Sequence, residues 1–230
     1  MDDRRCPTTP ATTPRVHPRS MKIELESMPP VLSPTTDQRV TYPDRTWNQF
    51  KLIQKGLEDC PGVRLFYYDG TVEVLMPGRD HEFFKSVIGF LLELFFMEKG
   101  IEFYPTGSMD QEREGEAFAQ ADESYCMGGP KVIPDLAIEV TFTSGNIAKL
   151  ARYQLLGVVE VWFWEDGLLS LYSLDAGEYR RCDRSQIPQL AALDIDLLTR
   201  CILLAETSRL EAARVFKQGL RPPAVLRPEF

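Results

Sequence analysis

The sequence has little of the residue types on which several classes of enzyme depend. Only two of its 230 residues are histidine, His17 and His81, so chemistry that needs several histidines is excluded. The five cysteines are widely spaced and form no CxxC pair. A zinc site or a disulfide framework is therefore not expected. Any metal ion would have to be held by carboxylate oxygens, which favours Mg²⁺ or Mn²⁺.

Long hydrophobic runs are also missing. The most apolar stretch, FFKSVIGFLLELFFMEKG, is interrupted by Lys85 and Glu93, so it predicts a buried helix rather than a membrane span. The opening residues, MDDRRCPTTPATTPRVHPRS, lack the apolar centre of a secretory signal. We therefore expect a cytoplasmic protein with no membrane partner.

Charge and motifs remove further classes of protein. The formal net charge of −8 argues against a protein that coats nucleic acid without sequence preference, because such binding depends on Lys and Arg. The sequence contains no GxSxG, P-loop or GxGxxG motif, so a small-molecule hydrolase has no support.

Composition divides the chain into four parts. Residues 1–37 are rich in Pro, Thr and Ser and predict a disordered tail, within which Met21 is an alternative start. Residues 38–185 mix helix and strand patterns and predict one α/β (α+β) domain, with a central mixed sheet flanked by helices. Residues 186–222 predict a helical extension packed on that core, and residues 223–230 a loose tail.

Turn and cap residues mark the first elements of the domain. Asp44 or Thr46 is expected to begin a helix. The pair Asp69-Gly70 lies between two β-rich runs and predicts a hairpin. A long helix is expected to begin at Asp80 and to end before Gly100.

The strand predicted over Val132–Phe142 carries carboxylates on one face. Asp135, Ala137 and Glu139 are spaced by two residues, so their side chains point the same way. Asp135 and Glu139 lie about 13 Å apart along a strand, which is too far to chelate one ion. Glu139 therefore needs a partner, and Asp122 in the preceding run is the candidate because neighbouring strands lie about 5 Å apart.

Such a pair of carboxylates suits phosphodiester chemistry. Two carboxylates on adjacent strands can hold a divalent cation and leave positions for water and phosphate. The cation lowers the pKa of a bound water and screens the charge of a phosphodiester. Lys149, on the following helix, is a candidate to orient that water or to stabilise the transition state. Glu82, near the start of the long helix, is a candidate for another oxygen ligand.

Each of these residues also has an ordinary structural interpretation. Asp135 and Glu139 can be a polar stripe on the solvent side of a sheet. Glu82 can be a first-turn glutamate that favours the helix dipole. Lys149 can be a solvated surface lysine, and Asp122 can belong to an acidic loop. Taken one at a time, none of these signals is specific.

The segment IPDLAIEVTFTSGNIAKLARYQLLGVVEVWFWEDG resembles the Uma-type restriction-endonuclease-like family, a bacterial branch of the PD-(D/E)xK nuclease superfamily. The residues that carry the resemblance are Pro134-Asp135-Leu136, Glu139-Val140, Thr143-Ser144, Lys149-Leu150, Tyr153, Gly157-Val158, Glu160, Trp162 and Asp166. The resemblance extends weakly over about residues 40–185.

The resemblance implies a nuclease core in which a helix, three strands, a second helix and a fourth strand follow one another. It implies catalytic roles for Asp122, Glu139, Lys149 and Glu82, and a Mg²⁺ or Mn²⁺ ion held by Asp122, Glu139 and Asp135. Thr141 occupies the place where the superfamily usually has lysine, so Lys149 would supply the lysine from the helix. For Asp135 the resemblance leaves a structural role open.

The resemblance also implies partners and further pairings. DNA would be the substrate, and a homodimer would present two active sites to the two strands of a symmetric target. Glu160 would pair with Lys149 or Arg152. The alternative is an inactive protein that keeps the nuclease fold as a DNA-binding or protein-interaction module, which the acidic net charge favours.

Overall fold

The structure is a computed structural model that describes residues 35–142 and 146–221, without the side chains of residues 146–148. These residues belong to one compact unit that begins at Ser33. Most of the tail predicted at residues 1–37, the Thr143-Ser144 loop and the tail predicted at 223–230 lie outside the described residues.

Helices and strands are interspersed along the described residues, as the sequence patterns predict. The strands are β1 (Gln38–Tyr42), β2 (Arg64–Tyr68), β3 (Thr71–Met76), β4 (Phe103–Pro105), β5 (Gln111–Arg113), β6 (Ala117–Ala119), β7 (Glu123–Met127), β8 (Leu136–Thr141), β9 (Glu160–Glu165), β10 (Leu168–Asp175) and β11 (Glu178–Cys182). The helices are α1 (Trp47–Gly56), α2 (Arg79–Lys99), α3 (Asn146–Leu156), α4 (Ile195–Leu204) and α5 (Arg209–Gly219), with a short 3₁₀ helix at Pro188–Leu190.

The strands form two sheets within the described residues. The five-stranded sheet is antiparallel and has the order β1-β3-β2-β6-β5. The six-stranded sheet has the order β11-β10-β9-β8-β7-β4, in which β8 and β9 are the parallel pair. Helix α3 connects these two strands, as a parallel pair requires a crossover. The α+β class predicted from the sequence is confirmed.

Local sequence explains the first hairpin and the ends of the first two helices. Asp69 and Gly70 have φ values of 45° and 66° and join β2 to β3, so the predicted hairpin is confirmed. Thr46 caps α1, because its hydroxyl accepts a hydrogen bond from the backbone N–H of Gln49. Helix α2 begins at Arg79, slightly before the predicted start at Asp80. None of the helices in the described residues is both long enough and apolar enough to cross a membrane.

The core has three apolar layers. Helix α1 covers the outer face of the five-stranded sheet, where Phe50, Val72 and Phe118 are buried. Helix α3 lies between the two sheets. Helices α2, α4 and α5 pack on the other face of the six-stranded sheet, around Trp162 and Trp164. The face of β8 that points toward α3 therefore lies inside the molecule.

Two features of the fold differ from the sequence prediction. The expected single sheet is two sheets, because β1, β5 and β6 add to the β2–β3 hairpin. These strands are short, and β5 and β6 have only three residues each, too few to show a period-two pattern. The strand expected over Val132–Phe142 is limited to Leu136–Thr141.

Candidate active site

Asp122 is anchored to β8 on both sides of Glu139. It immediately precedes β7, whose antiparallel pairing with β8 ends at Glu123 and Ile138, and its N–H donates a hydrogen bond to the Ile138 carbonyl at 3.1 Å. The carboxylate Oδ2 of Asp122 accepts a hydrogen bond from the Val140 N–H at 2.7 Å, which fixes its orientation. These two hydrogen bonds hold Asp122 against the backbone on either side of Glu139. Both side chains are buried.

Helix α3 presents three polar side chains to Glu139. Lys149, Arg152 and Tyr153 are separated by three and four residues, so they share one face of the helix. The Tyr153 hydroxyl donates a hydrogen bond to Oε1 of Glu139, and Nη2 of Arg152 donates to the same oxygen at 3.4 Å. The Lys149 Nζ lies 3.9 Å from the other oxygen, Oε2. The two oxygens of Glu139 thus have different surroundings.

Arg152 is itself held in place by the five-stranded sheet. Its guanidinium lies 3.8 Å from the centre of the Phe66 ring, and its Nη1 lies 3.6 Å from Glu73 Oε2. Glu73 in turn forms an ion pair with Arg39 on β1. Burial lowers the pKa of Arg152, but the nearby carboxylates outweigh burial and raise that pKa overall. Arg39, Glu73, Arg152 and Glu139 therefore form a row of alternating charges, which we call the charge row.

Lys149 has an unusual electrostatic environment for a lysine. Burial is the main cause that lowers the pKa of its ammonium group, and the nearby Arg39 and Arg152 lower it further. Glu139 opposes this effect without cancelling it. Lys149 consequently holds its proton less tightly than a surface lysine does, a property of lysines that transfer protons.

His81 completes the surroundings of Asp122. Its ring is fully buried at the start of α2. Its Nδ1 lies 3.0 Å from Asp37 Oδ2, and its Nε2 lies 2.8 Å from Asp122 Oδ1. The second contact is an ion pair rather than an aligned hydrogen bond, since neither atom has a well-directed hydrogen-bond partner among the described residues.

The charge of His81 follows from these two contacts. Burial alone would lower the pKa of the ring, but Asp122 and Asp37 outweigh burial and raise it to about 9. His81 is therefore a cation at neutral pH. Sequence reasoning missed this residue, although it lies in the DHE sequence at the helix start. Asp37 was missed because it falls in the segment predicted as a tail.

The structure places Glu82 away from the two carboxylates. Its side chain is 46% exposed and lies 3.7 Å from an Arg64 nitrogen and 3.5 Å from the Lys85 ammonium. The preceding residue, His81, is the side chain of α2 that contacts Asp122. A ligand role for Glu82 stays a prediction.

Asp135 is likewise held elsewhere. Its Oδ2 accepts hydrogen bonds from the Met127 N–H at 2.7 Å and from the Lys131 ammonium at 2.6 Å. These contacts tie it to the turn between β7 and β8. A metal-ligand role for Asp135 stays a prediction, and its contacts favour the structural role that the sequence left open.

The pairing predicted for Glu160 is wrong. Its Oε1 accepts a hydrogen bond from Trp162 Nε1 at 2.5 Å, and its Oε2 accepts from the Gln186 N–H at 2.8 Å. Glu160 pairs in register with Leu136, which faces α2 rather than α3. The sheet therefore separates Glu160 from Lys149.

The carboxylates fit a divalent cation only with help from water or substrate. Among residues 35–142 and 146–221, no three His, Cys, Asp or Glu side chains are grouped to hold a metal ion. Asp122 Oδ1 is nevertheless buried without an aligned hydrogen bond, with His81 Nε2 at 2.8 Å, and Glu139 Oε2 has Lys149 at 3.9 Å. Mg²⁺ is often held by one or two carboxylates together with waters and substrate phosphates. One oxygen from each carboxylate suits that arrangement.

Two cavities border other parts of the described residues. A cavity of about 810 Å³ lies beside α1, and another of about 680 Å³ lies between β10 and α4. Asp122, Glu139 and Lys149 line neither of them. The grouping of charged side chains identifies the candidate active site.

The comparison with protein families matches residues 47–199 to the Uma2 family, described as "putative restriction endonuclease". The match covers more than half of the chain and includes Asp122, Glu139 and Lys149. The chain belongs to this family. The resemblance found in the sequence is thereby confirmed, and the α+β architecture agrees with the restriction-endonuclease-like domain expected of Uma2 proteins. The comparison with curated proteins found no match.

Proposed function

We propose that this Uma2 protein is a metal-dependent endonuclease that hydrolyses phosphodiester bonds in DNA. The observation that carries the proposal is the anchoring of Asp122 to the backbone on both sides of Glu139, with Lys149 beside Glu139. Membership of a family described as restriction endonucleases supports nuclease chemistry. The metal ion and the DNA substrate are our additions to that description.

Asp122 and Glu139 would hold Mg²⁺ or Mn²⁺, Glu139 through Oε2 and Asp122 through Oδ1, which would exchange its contact with His81 Nε2 for the ion. When bound, the ion would acidify a water molecule and screen the charge of the phosphodiester. The Val140 N–H orients Asp122, and α3 orients Glu139, before any substrate binds. Such preorganised polar groups are a main source of catalytic rate enhancement.

Lys149 would act on the substrate side of Glu139. Its ammonium is positioned to donate a hydrogen bond to a phosphate oxygen or to orient the attacking water. Because its pKa is lowered by burial, it can also pass on a proton more readily than a surface lysine. This role follows the family resemblance, in which the helix supplies the lysine.

Cleavage of supercoiled plasmid tests the proposal. Purified protein is incubated with Mg²⁺, Mn²⁺ or EDTA, and nicked and linear products are measured. We expect metal-dependent nicking that falls by about 100-fold or more in Glu139→Gln, since the carboxylate charge is lost. The matched control is Glu160→Gln, which changes another buried glutamate on the opposite face of the same sheet. It is expected to retain nicking, provided that its melting curve shows a folded protein.

Two results would overturn the proposal. One is wild-type protein that does not nick DNA with either metal. The other is nicking by Glu139→Gln at the wild-type rate, which would point to a contaminating nuclease. Asp135→Asn and Glu82→Gln in the same assay test the two ligand roles that remain predictions. Because both side chains are paired elsewhere, we expect small effects.

A second candidate function is an inactive module that binds DNA or protein. This second function is favoured because cationic side chains already balance the charges of the two carboxylates. His81, Lys149 and Arg152 contact Asp122 or Glu139 directly. Calorimetry with Mn²⁺ separates the two functions. Metal binding that Asp122→Asn abolishes supports the nuclease, whereas folded wild-type protein that binds DNA but no metal supports the module. Homodimerisation and cytoplasmic location remain predictions from the sequence.

A further inference from the structure

We propose that Tyr153 and Arg152 are positioning residues that restrict Glu139 to one metal-binding oxygen, Oε2. This inference rests on the proposed function, since it assumes that Glu139 is a metal ligand. It assigns a role to two residues of α3 other than Lys149.

Among the described residues, the hydrogen bonds from α3 to the Glu139 carboxylate go to one oxygen. Tyr153 and Arg152 both donate to Oε1. Turning the carboxylate out of its present plane would break both contacts, so the positions of its two oxygens are fixed. Oε2 therefore stays on the side of Lys149, where it is the oxygen available to a cation.

Both donors are rigid. Tyr153 is fully buried in the apolar layer between the sheets, together with Leu150 and Leu156. Arg152 lies between the Phe66 ring and two carboxylates, those of Glu73 and Glu139. Side chains that are fixed by packing and by second hydrogen-bonding partners hold a ligand more accurately than mobile ones do.

The same contacts fix the lysine relative to the glutamate. Lys149 lies one helical turn before Arg152 and Tyr153, so any shift of α3 that moves the lysine also strains the contacts to Glu139. Where the superfamily pattern has a lysine on the catalytic strand, this chain has Thr141. A lysine supplied by a helix needs a second connection between helix and strand, and Tyr153 and Arg152 provide it.

The variant that tests this inference is Tyr153→Phe, which removes one hydroxyl and keeps the ring. Mn²⁺ binding to the protein alone is measured by electron paramagnetic resonance of the free ion. Removing an outer partner of a metal ligand typically weakens metal binding by 10- to 100-fold, so we expect about tenfold weaker binding. The concentration of Mn²⁺ that gives half-maximal nicking should rise by about the same factor.

Tyr179→Phe is the matched control. The Tyr179 hydroxyl donates a hydrogen bond to the Val158 carbonyl at 2.6 Å, so the control also removes a hydroxyl that hydrogen-bonds inside the protein. We expect its Mn²⁺ affinity to stay within about twofold of wild type, since it contacts no metal ligand. Melting temperatures in EDTA show whether both variants are folded.

The outcomes separate this inference from the proposed function. Wild-type Mn²⁺ binding that Tyr153→Phe leaves unchanged overturns the positioning role and leaves the nuclease proposal standing. Wild-type protein that binds no Mn²⁺ overturns both. If Tyr153→Phe melts well below Tyr179→Phe, Arg152→Lys replaces it in the same assay. The shorter side chain keeps the charge but cannot maintain the stacked contacts, and unchanged Mn²⁺ affinity in that variant also overturns the inference.

Discussion

Buried charges at the candidate active site are each compensated by a specific neighbour. His81 is the clearest case, because its ring is fully buried between Asp37 and Asp122. Removing one partner of a buried ion pair is costly, since the other charge stays buried without compensation. This one side chain therefore contributes to stability as well as to the orientation of Asp122.

We expect His81→Gln to lower the free energy of unfolding by about 3 kcal/mol, measured by urea denaturation in EDTA near neutral pH. The loss should be smaller when the substitution is made in an Asp37→Asn background, because only one carboxylate is then left without a cation. Equal losses in the two backgrounds would show that His81 acts through packing rather than charge.

Cys182 gives a prediction that depends on pH. Burial, followed by the nearby Glu160 and Asp183, raises the pKa of its thiol to about 11. Because the thiolate is the reactive form, alkylation of Cys182 by iodoacetamide should rise about tenfold for each pH unit between 8 and 10. Peptide mass spectrometry measures this rate, with Cys182→Ser as the control. A rate that levels off below pH 10 would contradict the prediction.

The raised thiol pKa also has a consequence for stability. The folded state holds the proton of Cys182 more tightly than the unfolded chain does. The corresponding stabilisation is present below the ordinary thiol pKa and is lost as the pH rises through about 11.

Strand β1 and the start of α2 meet closely beside the candidate active site. Asp37, just before β1, accepts a hydrogen bond from the Gly78 N–H at 2.9 Å and also contacts His81. A Cβ atom on Gly78 would lie 2.5 Å from the Thr35 carbonyl oxygen. Glycine is thus required here by a neighbouring backbone rather than by its own φ angle.

Gly78→Ala should destabilise the protein by about 1–3 kcal/mol, because the backbone near Thr35 must move. Gly56→Ala is the control, since a Cβ there meets no atom within 4 Å and the residue ends α1. The control is expected to be neutral or stabilising by about 0.4–1 kcal/mol. Thermal and urea unfolding measure both variants, and equal effects would contradict the close approach.

Some features of the fold and of the candidate active site could be predicted from the sequence, whereas others could not. The Asp69-Gly70 turn is set by its own residues, and the direction in which Glu139 points follows from the alternation of side chains along a strand. The contact of His81 with Asp37 joins residues 44 positions apart. A local pattern cannot encode which distant residue will meet a given side chain.

The molecule as a whole is built around α3, with a sheet on either side and a further helical layer beyond the six-stranded sheet. The family match ends at residue 199, yet α5 shares the core with α2 and β8. Phe216 of α5 is fully buried in this layer, whereas Leu210 on the same helix is 63% exposed.

Phe216→Ala should therefore lower the free energy of unfolding by about 3–5 kcal/mol. Leu210→Ala should change it by no more than about 0.5 kcal/mol, since its side chain is already in water. Chemical denaturation of the full chain measures both. A small loss for Phe216→Ala would mean that the C-terminal helix adds little to the fold.

The charge row has a consequence for how this protein can be altered. Arg39 and Glu73 belong to the five-stranded sheet, whereas Arg152 and Glu139 belong to α3 and β8. A segment containing only β8 and α3 is therefore not a portable module. Grafted onto another scaffold, it would carry Arg152 without its outer carboxylate. Substitutions within the charge row are constrained in the same way. Replacing one of its charged residues by an uncharged one favours a compensating substitution on the other sheet.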